Sequence, residues 1–258
     1  MDTIEAQLAE WIERFDRYEA IAARAYDDSV GRRCATAWML IASQATVIAS
    51  RCVSLTEGFM VLVNENNAHS APPVVRALFE TCCVAFYLRH NVSPRLRAER
   101  TEQVQKILWR LGMGTTPDAG VGHIKPVRVK KLLEAGRQWL AAWTTEHYPG
   151  QSPPDVFTMV YGPLSDRTHP NYGATTASQR IDTAGGIVEY TMRPGFDHDS
   201  IDQLLSGCSY GLMSAAQALD PVVADAEAHP MEFEPGQPNW TDDELHGEPP
   251  DEENSGLG

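Results

Sequence analysis

The stretch PPVVRALFETCCVAFYLRH, residues 72–90, decides the fold. From Val74 to Leu88 its only charges are Arg76 and Glu80. A helix that is apolar nearly all round belongs inside a bundle. Ser70 stands where a helix cap would, and Pro72 and Pro73 suit the first turn. Arg76 and Glu80 are four residues apart, so they share one face a turn from each other, and Cys83 and Tyr87 continue that stripe. Enclosing a charged pair is costly unless each partner is satisfied. Two readings stay open. The pair is an internal ion pair that fixes helix register. Or it is a polar site in which Arg76 holds an anion or orients a reacting group, and Glu80 holds Arg76 or acts as a base.

Working outward toward the N-terminus, NENNAHS (64–70) is a polar connection. Before it, apolar periodicity predicts a central helix from about Arg32 to Asn64, with a bend at Gly58. Within it Cys34–Ser50 carries no charge over 17 residues. A membrane span needs about 20 predominantly apolar residues, and this stretch holds Thr36, Ser43, Gln44, Thr46 and Ser50, so a core helix is expected. Leu8, Trp11, Ile12, Phe15, Tyr18, Ile21 and Ala22 recur at helical spacing and predict a first helix over 3–27, with a break at Asp27–Ser29.

Toward the C-terminus, Ser93-Pro94 opens a helix to about Arg110, and Gly112 and Gly114 end it. A Gly-rich loop (111–124) and a helix over 127–147 follow. Pro149–Pro154 is another break, and a short helix at 155–161 leads into YGPLSDRTHPNYG (161–173). The one β signal is a hairpin near 180–192 about Ala184-Gly185-Gly186. A last helix covers about 200–224. The expected fold class is therefore all-α: a bundle of five to seven helices with one small β-hairpin. The expected division is a helical domain at 1–229 and a disordered acidic tail at 230–258, whose Pro, Gly, Asp and Glu cannot bury enough surface to order.

That tail holds nine acids and no Lys or Arg. Without it the chain has 26 acids against 21 bases. Arg89–Arg137 holds 11 bases against four acids. The basic stretch is either a solvated face or a surface for RNA or another phosphate ligand, with the tail competing for it. Asp225, Glu227 and His229 lie at the exit of the last helix and are expected to be solvated. The five cysteines are odd in number and form no C-x-x-C motif, which argues against a disulfide framework or zinc cluster and for buried thiols in a reducing cytoplasm. Met1–Arg14 is charged and amphipathic, unlike a secretory signal. No cofactor or metal is expected. Asp197-His198-Asp199 with His169 has the residue types of a divalent metal set but reads instead as a helix cap. The loop glycines lack a P-loop Lys-Ser/Thr.

The segment Tyr161–Tyr172 is the second dense polar group. If it is helical to His169, then Tyr161, Ser165 and His169 share a face, with Arg167 beside them. The alternative is a surface turn with His169 at a helix C-terminus. Arg76-x-x-x-Glu80 followed by Tyr161-x-x-Leu164-Ser165-x-x-x-His169 resembles a widespread bacterial and phage family of helical proteins known mainly as a domain of unknown function. The resemblance spans about residues 30–220. It implies a helical bundle and no established activity, with Arg76, Glu80, Tyr161, Ser165 and His169 as its recurring polar residues. A looser similarity is to the HEPN helical bundles of toxin–antitoxin and phage-defence systems. Many of these are metal-independent RNases that use an arginine and, four to six residues later, a histidine for general acid–base chemistry. Arg167 and His169 are only two apart. Arg193 and His198 have the spacing, but Pro194 and Gly195 intervene. Two functions fit these residues. One is a non-enzymatic binding or regulatory protein of phage or stress defence, a homo-oligomer in one version. The other is an HEPN-like RNase.

Overall fold

The computed structural model describes residues 1–112, 127–153, 155, 157–168, 179–182, 187–190, 195–196 and 198–233. They are mostly helical, as an all-α bundle requires. The elements are α1 (Asp2–Arg32), α2 (Ala37–Asn64), α3 (Ala71–Asn91), α4 (Ser93–Arg97), α5 (Thr101–Gly112) and α6 (Val129–His147). A π-helical turn (Phe157–Tyr161) runs straight into α7 (Gly162–Thr168), and α8 (His198–Ala228) closes the bundle. Strands β1 (Gln179–Asp182) and β2 (Ile187–Tyr190) pair antiparallel, with Gln179 opposite Tyr190 and Asp182 opposite Ile187. The Gly-rich loop, the turn between β1 and β2 and the acids beyond Phe233 lie outside the described residues.

Packing follows the apolar spacing. Ile4, Trp11, Tyr18 and Ala25 of α1 are buried at seven-residue intervals, which keeps one seam facing its neighbours. Fully burying each large side chain there contributes about 1.5–3 kcal/mol. The seam faces α8. Gln7 donates to the Ser209 carbonyl (3.2 Å), Trp11 Nε1 donates to the Leu212 carbonyl (3.3 Å), and Arg24 pairs with Glu227 (3.2 Å). These contacts advance together, so α1 and α8 run parallel. In α3, Cys82 lies beside Gly211 and Arg89 beside Asp225, which gives the same sense. Helix α2 runs the other way, with Thr36 opposite Glu232. Helix α3 is the enclosed one: Val75, Leu78, Phe79, Cys82, Cys83, Ala85, Phe86 and Leu88 are buried around its circumference. Helix α6 packs on it through Phe86 and Trp139, whose rings stack at 4.8 Å.

Several expectations need correction. Helix α1 does not break at Asp27–Ser29 but continues to Arg32. Ser29 is buried and its hydroxyl lies 3.0 Å from that of Thr36, the residue that caps α2 by accepting from the Met39 N–H. Helix α2 passes through Gly58 without interruption. It packs on α1, α3 and α8 but is less enclosed than α3: its most apolar 18-residue window is 28% buried, against 67% for the α3–α4 window. Both windows are long and apolar enough to cross a membrane by length and composition alone. Ser70 occupies the cap position of α3 without a side-chain capping bond; its N–H donates instead to Asn67 Oδ1. The helix expected over 93–110 is two helices, broken at Glu99 (φ 55°). Cys34 is not helical and sits half-buried between α1 and α2. Beyond α8 the chain turns back: Ala37 N–H donates to the Met231 carbonyl and Phe233 N–H to the Ala35 carbonyl, and Phe233 is buried.

Candidate functional site

Arg76 and Glu80 lie one turn apart on α3, and Arg76 Nε donates to Glu80 Oε1 at 2.9 Å. The π turn and α7 lie across this face. Leu164 is buried there, and Phe79 meets the Tyr161 ring with centroids 6.1 Å apart. The π turn ends on Tyr161, whose hydroxyl thereby reaches the pair. It donates to Glu80 Oε1 (2.9 Å) and accepts from an Arg76 terminal nitrogen (3.3 Å), while Arg76 Cζ stands 5.4 Å from the Tyr161 ring centroid. The three groups form a closed ring of hydrogen bonds with a cation–π contact along one side.

The ring sits at the rim of the α3–α7 contact, with the Arg76 side chain 20% and the Glu80 side chain 30% exposed. Burial disfavours the Arg76 charge, but the hydrogen bond to Glu80 and its neighbours more than offset this and hold the guanidinium above its ordinary value. Burial, then the hydrogen bond to Glu80, push the Tyr161 phenol up. Neither group is moved toward neutrality, where general acid–base work is most efficient. The ring uses Nε and one terminal nitrogen of Arg76, so an exogenous anion that took those two N–H groups would displace Glu80 and Tyr161.

Of the residues singled out in the sequence, Arg76, Glu80 and Tyr161 meet. Ser165 lies one turn on in α7, half-buried, and makes no hydrogen bond with those three. Arg167 belongs to α7 and His198 opens α8, but their side chains, with Arg193 and His169, fall outside the described residues. Between Arg193 and His198 the described part of the chain has a structural task. Phe196 N–H donates to Asn66 Oδ1 at 2.9 Å, and a Cβ on Gly195 would come within 2.6 Å of the Asn66 side chain. Only glycine permits that approach as it stands.

Two polar clusters escaped the sequence reading. Asp220 of α8 accepts from Tyr18, pairs closely with Arg17 and lies 3.6 Å from Arg14. Asp225 accepts from Ser93 and stands 3.4 Å from Arg89 and 3.5 Å from Arg97. Asp225 is therefore not a solvated exit residue, whereas Glu227 is exposed as expected and pairs with Arg24 at the surface. One signal was available: Tyr18 lies on the apolar seam of α1, and a buried phenol usually has a partner. The basic stretch is partly consumed internally. Besides Arg89 and Arg97, Arg95 donates to Gln103 and the Asn91 carbonyl, and Arg137 lies 3.9 Å from Glu134. Among the described residues no group of three or more His, Cys, Asp or Glu could hold a metal ion. No family model, curated protein or solved structure matches the chain.

Proposed function

We propose that this is a non-enzymatic binding or regulatory protein of the cytoplasm, acting in phage or stress defence, and that the Arg76–Glu80–Tyr161 ring is its controlling element. The observation behind this is the closure of the ring. Each member bonds to the other two, the phenol and the guanidinium are held away from neutral titration, and no described histidine joins them. Such a ring is suited to fixing a segment in place and poorly suited to proton transfer. It acts as a latch that holds residues 157–168 on α3, and a partner or an anion competing for Arg76 would open it.

The test uses wild type, Arg76→Ala and Tyr161→Phe. Hydrogen exchange of each purified protein should show faster exchange at 157–168 in both variants, with α1 and α8 unchanged. Expression of all three in a bacterial host should leave total RNA intact. RNA breakdown by wild type that either substitution abolishes, with the melting temperature preserved, would overturn the proposal in favour of an RNase. Unchanged exchange at 157–168 would remove the latch.

A further inference from the structure

One end of the bundle gathers the close of α3, all of α4 and the start of α6. Helix α6 runs antiparallel to α3: Phe86 stacks on Trp139, while His90, further along α3, feels the charge of Glu134, earlier in α6. At 1.5 Å per residue the first turn of α6 therefore lies beyond the end of α3, level with α4. Residues 89–112 and 127–134 hold nine bases against three acids, and Asp225 adds a fourth acid. Locally the charges do not balance. Arg89 and Arg97 share the one carboxylate of Asp225. Arg95 is held by the neutral oxygens of Gln103 and Asn91. Arg128 and Lys130 are exposed at the start of α6. A surface of one sign concentrates anions.

The chain carries such an anion to the same end. Past Asp225, α8 finishes at Ala228, and the buried Phe233 donates its N–H to the Ala35 carbonyl at 2.9 Å. Glu232, the first acid after α8, already pairs with Arg32 at 2.8 Å. The path from Asp225 to Phe233, part helix and part extended chain, is at most about 22 Å. Residues 242–253 then hold seven acids and no Lys or Arg. The chain from Phe233 to Asp242 reaches about 30 Å when extended. Those acids can therefore arrive at Arg97, Arg95 and Arg128. A tether this short gives an effective concentration of the order of millimolar, above that of a separate polyanion at micromolar concentration.

We propose that residues 242–253 bind the basic end of their own chain, formed by α4 and the starts of α5 and α6, and withhold it from outside polyanions. Phe233 and the Arg32–Glu232 pair fix where the segment begins. The contact is electrostatic, so salt releases it.

All the lysines of the chain, Lys106, Lys125, Lys130 and Lys131, lie in the basic region. Carbodiimide coupling of carboxylates to amines therefore reads the contact. With the full chain at micromolar concentration, peptide mapping should find carboxylates of 242–253 joined to Lys106, Lys130 or Lys131 in species of 28.5 kDa. Salt at about 0.5 M should cut the yield at least about tenfold. So should Arg95→Glu combined with Arg128→Glu, with the melting temperature kept. Replacing the seven acids of 242–253 by their amides should tighten binding of heparin at about 50 mM salt at least about tenfold. The same replacement of the seven exposed acids of α1, from Asp2 to Asp27, changes the net charge equally and should shift that affinity less than about threefold. The proposal is overturned by the absence of such links, by links that survive salt and charge reversal, by links formed only between two chains, or by an α1 replacement as effective as that of the tail. RNA binding by the full chain that is indifferent to the tail acids would also overturn it and assign the surface to an outside nucleic acid.

Discussion

Replacing Tyr161 by phenylalanine removes a single oxygen. The ring stays against Phe79 and beside Arg76, so packing is nearly conserved. What disappears is the donation to Glu80 Oε1 at 2.9 Å and the acceptance from Arg76 at 3.3 Å. A hydrogen bond to a charged group contributes about 1.5–3 kcal/mol. Here the low end applies, because Glu80 is 30% exposed and water can replace the phenol, while the direct Arg76–Glu80 bond survives. A loss of about 1.5 kcal/mol lowers the melting temperature by roughly 3–6 °C in a domain of this size. Scanning calorimetry of wild type and Tyr161→Phe reads this directly. A cycle with Arg76→Met separates coupling from local strain: if the ring is one unit, the two substitutions together cost about 1 kcal/mol less than the sum of the singles. A melting point unchanged by Tyr161→Phe, or strict additivity with Arg76→Met, would refute the claim that the three groups act together.

Asp220→Asn should be more damaging than Tyr161→Phe, because it weakens the support of the fully buried Tyr18 and removes the charge facing Arg14 and Arg17; urea denaturation should place the loss at about 2–3 kcal/mol. Native protein should show one slowly reacting thiol toward Ellman's reagent, Cys34, and four only after unfolding; burial raises the Cys34, Cys83 and Cys208 thiols, the last to about 12, and the hydrogen bond to Cys52, then burial, raise Cys82. Burial, then Asp220, raise the Tyr18 phenol, and burial, then Glu80, raise Tyr161, both from an ordinary value of 10.0. The unfolded chain therefore loses those protons first, so stability is intact below pH 10 and falls as pH rises above it; melting scans stepped upward from pH 9 should show the decline, and a flat profile would contradict it. Asp225→Asn weakens the hold on Arg89 and Arg97, and should raise retention of the protein on heparin-agarose at low salt.

Much of the fold was legible because it rests on periodicity. The apolar spacing of α1 and the nearly all-round apolar surface of α3 are visible in the sequence, although Ile12 of the predicted α1 stripe is exposed and Ile4 and Ala25 carry the seam beyond that stripe. The helix ends were less legible. Three of them, those of α1, α2 and α4, close with a residue in the left-handed conformation, and these residues are Arg33, Asn66 and Glu99. In each, the following N–H reaches back to a carbonyl five residues earlier: Cys34 to Ser29, Asn67 to Leu62 and Arg100 to Arg95. Glycine usually fills that position because it has no Cβ to strain. Reading for glycine therefore finds no stop at Arg33 or Glu99, and it also places a bend at Gly58 that the backbone does not make. The Arg76–Glu80 half of the ring follows from spacing within one helix. Its closure by Tyr161 depends on where a π turn delivers the phenol, and no local pattern specifies that.

Charge shows the same division. The excess of seven positive charges over Arg89–Arg137 is a fact about neighbours along the chain. Electrostatic energy depends on neighbours in space. Asp225 is 136 residues from Arg89 and 132 from Ser93, yet it lies against both, because α3 and α8 run parallel and α4 turns back toward the end of α8. The same parallel course brings Asp220 and Glu227 to the arginines of α1. Helix α8 thus carries acids to two sets of bases lying far upstream in the sequence. The basic stretch is in part the positive half of an internal pairing whose negative half sits at the far end of the fold. Its remaining capacity for an outside phosphate is set by how many of its bases are held within the fold, and a linear count of residues cannot give that number.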